Sequence, residues 1–380
     1  MTGLNLRTDF AQCSILIVIL HYMLAFAPLG FVGFQYAADP TAVDRTEFYF
    51  RYFPYSILTN NALPLNMFFA LIAFITAAKY FASRDIDSLK RQAEKRYFRL
   101  MPPVFASVVI SYLAFAAGVM FHKELGADVN AYFGITSNWA NWMYPDGLSF
   151  GGSIVNGLMT AFVNNGAGNY NTVTWCIYVI FFGSYLTYGF LALFGTSKKR
   201  VIFYAISVVL GVYYQPFSQF LVFISGIAVA DLIEHRKECA KKPFLGVALI
   251  VFGIAISAFA LDIFLGGVIT GEAVLSVSAF LIIYGLSESE AAAKVLSAKF
   301  WKPIGNIAFS LILTHTIVLF SLSAFLFHMF HKSLSFGIAV TLSCVVSLPV
   351  IVIVAIVFDR FIEKGTGRLV NKLAKKYLSN

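Results

Sequence analysis

Charge is what this sequence has least of: only 12% of its residues are Asp, Glu, Lys or Arg, which excludes an ordinary water-soluble domain and a disordered, charge-rich chain alike. Cysteine is scarce too. Cys13, Cys176, Cys239 and Cys344 are scattered, three of them inside apolar runs, with no Cys-x-x-Cys pair and no histidines at metal-ligand spacing. Neither a disulfide framework nor a metal site is expected. No internal repeat, low-complexity tract or soluble domain is visible. The net charge of +9 comes from short basic clusters set between apolar segments rather than from one arm or patch, so membrane topology explains it better than nucleic acid does.

What is there is hydrocarbon: 59% hydrophobic residues, including 40 Phe. A helix needs about 20 mostly apolar residues to cross a bilayer core. Runs of that kind fall at roughly 12–31, 60–81, 101–121, 172–195, 201–215, 217–233, 244–264, 267–287, 304–327 and 335–358. The first follows Arg7 as a secretory signal would, yet it is long, contains His21 and offers no small-x-small cleavage site, so it reads as a retained span. The fifth and sixth are separated only by Gln215 and Pro216 and also read as one broken helix.

The expected architecture is an all-α integral membrane protein of about ten transmembrane helices over residues 1–360, with a basic tail at 361–380. Retained Lys and Arg mark the cytoplasmic side of a membrane protein. With the N-terminus inside, 24 of the 28 basic residues lie in inner segments, leaving only Arg45, Arg51, Lys123 and Lys332 outside. Both termini are therefore expected in the cytoplasm, and the plasma membrane, as in a bacterial inner membrane, is the expected location. Two long outer segments, Gly33 to Leu58 and His122 to Asn171, are the loops most apt to carry function. Within the second, Ile154 to Phe162 is apolar but too short to span, as an interfacial or re-entrant helix would be. The tail reads as a basic amphipathic segment on the inner leaflet.

Ionisable groups inside spans are costly and mark candidate sites. His21 falls near the middle of the first run and His315 near the middle of the ninth, each able to act as a base near neutral pH or to pack against a backbone carbonyl. Lys95, Arg96 and Arg99, followed by Pro102 and Pro103, place cations at the inner boundary, where they suit phosphates or anionic lipid. Asp231 and Glu234 close the sixth run at the inner face; Glu272 sits in the outer half of the eighth and needs a partner or a wet cavity. Trp139, Trp142, Tyr144 and Trp175 fit an outer aromatic belt or a sugar-stacking surface.

Taken in order, several stretches resemble the acyltransferase-3 family of membrane-bound O-acyltransferases. Ser14 to His21 looks like the family's hydrophobic run ending in its functional histidine. Asn66 to Phe74 is similar to its Phe-Phe-x-x-Ser-Gly-Phe segment, and Lys95-Arg-Tyr-Phe-Arg-Leu-Met-Pro-Pro103 to the Arg-rich stretch leading into a proline-started third helix. Thr174 to Ser184 resembles Trp-Thr-x-x-x-Glu, Phe223 to Ala230 a later glycine-containing helix, and Gly305 to His315 the run Gly-x-x-Ser-Tyr-x-x-Tyr-x-x-His. The resemblance implies transfer of an acyl group, commonly acetyl, from cytoplasmic acyl-CoA to a hydroxyl of a cell-surface or lipid-linked carbohydrate. It implies His21 and His315 as catalytic residues, Lys95, Arg96 and Arg99 as binders of the donor phosphates, and no metal. Trp175 and Glu272 are the candidates for the acceptor. The sequence departs from the pattern where Phe10, Ile72, Ile180, Phe309 and Ile312 stand in place of charged or hydroxyl-bearing residues and Ala73 in place of a glycine. A catalytically inactive relative that binds or passes a glycan or lipid carrier, or that assembles with envelope-synthesis proteins, is the alternative. An ion-coupled transporter is disfavoured by the shortage of paired charges within spans.

Overall fold

Inside hydrocarbon a backbone has no water to bond to, so long apolar runs are driven into helices. The protein is described here by a computed structural model covering residues 6–30, 62–164, 168–236, 238–259, 271–296 and 298–377. Among these residues every regular element is helical and there is no strand. The expected outer segment Gly33 to Leu58 lies outside the described residues, as do parts of the expected spans 244–264 and 267–287.

In chain order the main helices are α1 (Leu6–Phe26), α2 (Ala62–Ser83), α3 (Ile86–Ala116), α4 (His122–Phe133), α5 (Phe150–Val163), α6 (Trp175–Phe194), α7 (Arg200–Tyr213) and α8 (Leu221–Arg236). They continue as α9 (Pro243–Phe259), α10 (Gly271–Glu288), α11 (Glu290–Leu296), α12 (Ala308–His331), α13 (Phe336–Phe358) and α14 (Lys364–Tyr377). Six described helical segments are long and apolar enough to cross a membrane: Ala62–Ser83, Ile86–Ala116, Thr172–Phe194, Gly271–Glu288, Ala308–His331 and Phe336–Leu373. Shorter apolar helices occupy Phe10–Phe26, Phe150–Val163, Arg200–Tyr213 and Pro243–Ala258. Where they are described, the apolar runs read from the sequence become helices, and among the described residues six helical segments reach spanning length.

Three sequence expectations change. Pro102 and Pro103 sit inside α3 instead of starting a helix, so the basic stretch before them is itself helical and continuous with the apolar part. His21 is five residues from the C-terminal end of α1, not mid-helix. The fifth and sixth runs are the two arms of a hairpin, because Arg200 at the start of α7 pairs with Asp231 near the end of α8.

The chain forms two compact units. The first contains residues 1–17, 60–96 and 179–306. Several of its charged side chains bond at one end: Arg84 donates to the Gly195 carbonyl (2.6 Å), Arg236 to the Tyr284 hydroxyl (2.5 Å), and Glu288 accepts from the Lys242 amide (2.9 Å). Just beyond α10, Lys241 and Glu290 pair at 3.1 Å on the surface, an exposed contact that holds the Glu290 carboxyl below its usual range. The ends of α2, α6, α8 and α10 thus meet the starts of α7 and α9, as successive antiparallel helices require. Between α2 and α8 the backbones nearly touch at Gly226, where a Cβ would overlap the Ala70 carbonyl oxygen and stand 2.9 Å from the Ala73 Cβ. Gly226→Leu is expected to cost several kcal/mol, at or above the usual 1–3 kcal/mol of overpacking because the obstacle is backbone. Thermal unfolding of the variant in detergent checks this; an unchanged midpoint would show that the two helices separate freely.

The second unit contains residues 18–59, 97–178 and 307–380. In it α5 runs antiparallel along α3: Phe150 meets Tyr112 (6.1 Å between rings), Gly157 lies under Phe105, and Tyr97 donates to the Leu158 carbonyl (2.7 Å) while its ring meets Phe162 (5.2 Å). Tyr97 and Tyr112 are separated by about 22 Å of helix at 1.5 Å per residue. The chain then returns, since Tyr170 is again beside Tyr112 and Ser149. Phe150 and Tyr170 thus lie against the same residue of α3, Tyr112.

Candidate functional site

Two histidines 294 positions apart in the sequence meet inside the second unit. His315 Nε2 and His21 Nδ1 are 3.0 Å apart. The other ring nitrogen of His315, Nδ1, lies 3.0 Å from the Leu311 carbonyl. A carbonyl only accepts, so His315 Nδ1 carries the proton and, in the neutral ring, Nε2 carries the lone pair. His21 must then donate from Nδ1, which leaves the lone pair on its Nε2. The helix backbone at Leu311 in this way dictates the tautomer of a side chain on α1. His315 is fully buried, whereas His21 is partly exposed. A base whose orientation and tautomer are set by a buried partner is the arrangement that nucleophile-activating sites share.

The ring of His21 also meets Trp139, with centroids 5.2 Å apart and planes 30° apart, and Trp139 in turn meets Phe320 (5.0 Å). Trp139 is held by a polar turn: Asn138 donates to the Gly126 carbonyl (2.9 Å) and to Asn130 (2.8 Å) and accepts from the Ala140 amide (2.9 Å). The helix α4 behind this turn is tied to α12 by Asp128 and His328 (2.7 Å) and by the Phe121 amide bonding the Phe320 carbonyl (2.7 Å) in a π-helical turn at Leu319–Ser323. His122, at the start of α4, is buried with neither ring nitrogen hydrogen-bonded, and burial pushes its imidazole below the usual histidine range. On the other side of α12, Asn171 donates to the Leu313 carbonyl (2.9 Å) and accepts from Thr316 (3.1 Å), fixing the start of α6 against the turn that carries His315.

Five residues before His315, and so about 7.5 Å down α12, the buried Ser310 donates to Glu363 (2.6 Å). Arg99, exposed on α3, is within electrostatic range of Glu363. The second unit therefore joins His21 and His315 and holds Arg99 and Trp175 as well, Trp175 being 38% exposed at the start of α6. Lys95 and Arg96, both half-buried, belong to the first unit, as does Glu272, exposed in the first turn of α10. The expected aromatic belt is corrected: Trp139 and Tyr144 are buried, Tyr144 bonding Ser111 (2.9 Å), and of the four only Trp142 and Trp175 are exposed. Nothing in the sequence ties Asn138, Trp139 or Asn171 to the histidines beyond the density of Asn and Trp between His122 and Asn171.

Three of the positions where the sequence departs from the resemblance lie against other side chains or are buried. In the first unit Phe10 meets Phe68 edge-on (4.8 Å), Ala73 is fully buried beneath Gly226, and Ile180 is buried with its carbonyl accepting from Ser184 (2.6 Å). Compared with known proteins, the chain matches no family model, no curated protein and no solved structure.

Proposed function

We propose that the protein is a membrane-embedded O-acyltransferase with His21 as general base and His315 as the residue that positions it. The observation that carries this reading is the ordered pair: Leu311 carbonyl, His315, His21, with the lone pair at the partly exposed end. In the step, His21 Nε2 takes the proton of an acceptor hydroxyl while its oxygen attacks the thioester carbonyl of an acyl-CoA. The carbon–sulfur bond breaks, and the proton passes from His21 to the departing thiolate, giving an ester and free coenzyme A. His315 stays neutral and accepts from the imidazolium that forms on His21, and Trp139 lies against the same transient cation. Arg99, in the same unit as the histidine pair, is assigned to the donor phosphates, and Trp175 to the acceptor, a cell-surface or lipid-linked carbohydrate. Ten spans with both termini in the cytoplasm complete the proposal; the gathering of basic helix ends at one end of the first unit supports it. Protein in nanodiscs given labelled acetyl-CoA and a cell-envelope glycan fraction is expected to transfer label, and His21→Ala to lower the rate about 10²–10⁴-fold. Equal transfer by the variant would remove His21 from the mechanism.

The apolar packing at Phe10, Ala73 and Ile180 favours a second reading, a relative that has lost transfer and binds or passes a glycan or lipid carrier. It requires an intact fold with no measurable coenzyme A affinity, so calorimetry showing micromolar binding would count against it.

A further inference from the structure

The last described helix has no role in the chemistry above, yet its composition is sharply divided. α13 runs through a π-helical turn at Asp359–Glu363 directly into α14. In α14, Lys364, Arg368 and Lys372 recur every fourth residue and are all exposed. At 100° per residue they occupy an arc of about 80°. Beside that arc, about 60° further round, begins an apolar stripe containing Leu369 and Leu373, which are 56% and 46% exposed, and Phe361 before it is 70% exposed. From Lys364 to Asn380 the sequence contains no Asp or Glu, and it adds Lys375 and Lys376.

A stripe of leucine left bare beside a row of cations is the pattern of a helix that lies in a membrane interface, leucines in the acyl boundary and cations among headgroups. The concentration of one sign of charge argues against a second copy of α14 as the occupant, since like-charged rows would face each other. Two features allow the helix to leave the line of α13: the π-helical turn, and Gly365 and Gly367, which project no side chain at the junction. Lys364 reaches back across that turn to Asp359 (2.5 Å), so the first cation is partly neutralised and Arg368 and Lys372 carry most of the free charge.

We propose that α14 is a docking helix for anionic phospholipid headgroups, independent of whether the histidine pair is catalytic. Each cation near such a surface favours docking about fivefold. The full-length protein is placed in nanodiscs of phosphatidylcholine alone or with phosphatidylglycerol, and amide hydrogen exchange is followed over residues 364–377. Exchange in α14 is expected to slow at least tenfold in the anionic discs and to return to the neutral-disc rate in 1 M salt. The triple substitution Lys364→Gln, Arg368→Gln, Lys372→Gln is expected to abolish the difference, and Leu369→Ser with Leu373→Ser to reduce it. Equal exchange in both lipids, or protection already complete in phosphatidylcholine, would overturn the assignment, the latter pointing to docking on the protein itself. The wild-type comparison alone decides the matter if a variant fails to fold.

Discussion

His315→Phe is expected to lower acyl transfer nearly as far as His21→Ala, and the double variant is expected to be little worse than either single one. The reason is that the two rings act as a unit. Phenylalanine fills the fully buried site but neither accepts from His21 Nδ1 nor donates to the Leu311 carbonyl, so His21 loses the bond that keeps its lone pair on Nε2. Groups that act together give strongly non-additive losses, here about 10²–10⁴-fold for each single change. His315→Gln provides the contrast. An amide presents a donor and an acceptor, and with the nitrogen toward Leu311 and the oxygen toward His21 it restores the same ordering without a titratable ring. It is expected to recover a large part of the rate, through kcat rather than KM. Labelled-acetyl transfer by the four proteins at several pH values measures this. Independent, additive losses, or a His315→Gln protein as dead as His315→Phe, would mean that His315 does something other than hold the tautomer.

How much of this was legible beforehand differs by level. Helices follow from hydrocarbon content, and the stretch Ile154 to Phe162, which reads as an interfacial or re-entrant helix because an apolar stretch that short does not span, falls within the short helix Phe150–Val163. His21 and His315 were each identifiable as costly residues in apolar runs. That they touch was not, because periodicity places a residue on a face of its own helix and says nothing of which distant helix meets that face. Trp139, which the sequence offers to an outer belt or a sugar-stacking surface, is buried for a related reason. Its burial depends on Asn138 folding the turn back onto α4, a pattern of amide bonds to Gly126, Asn130 and Ala140 that leaves no hydrophobic period to detect. The prolines at 102 and 103 misled in the opposite direction. Proline disfavours a helix interior locally, yet α3 continues through both, with Val104 and Val108 fully buried and Tyr97 bonded to the Leu158 carbonyl, so tertiary packing outweighs the local preference.

The buried ion pair of the α7–α8 hairpin should give the largest stability effect that a single polar substitution produces in the first unit. Arg200 and Asp231 are 8% and 7% exposed, and the guanidinium meets the carboxylate with both Nε and Nη2, the latter at 2.6 Å. Tyr204 adds a hydroxyl to the same carboxylate (3.2 Å), the Ser197 carbonyl takes Arg200 Nη1 (3.0 Å), and the Phe81 ring lies 5.4 Å from the guanidinium carbon. Asp231→Ala strands this cation away from water, which costs about 3–5 kcal/mol, a large share of the roughly 5–15 kcal/mol that keeps a domain folded. Asp231→Asn keeps an acceptor but no charge and should fall between. The informative variant is the double one, Arg200→Met with Asp231→Leu: it removes both desolvated charges, and apolar replacement of such a pair is often neutral or better. Its thermal midpoint in detergent is expected to lie near wild type, well above that of Asp231→Ala. If the double variant is as unstable as the single one, the hairpin depends on the pair's own attraction rather than on avoiding an orphaned charge. In that case the sequence needs those two residues to bring α7 against α8 at all.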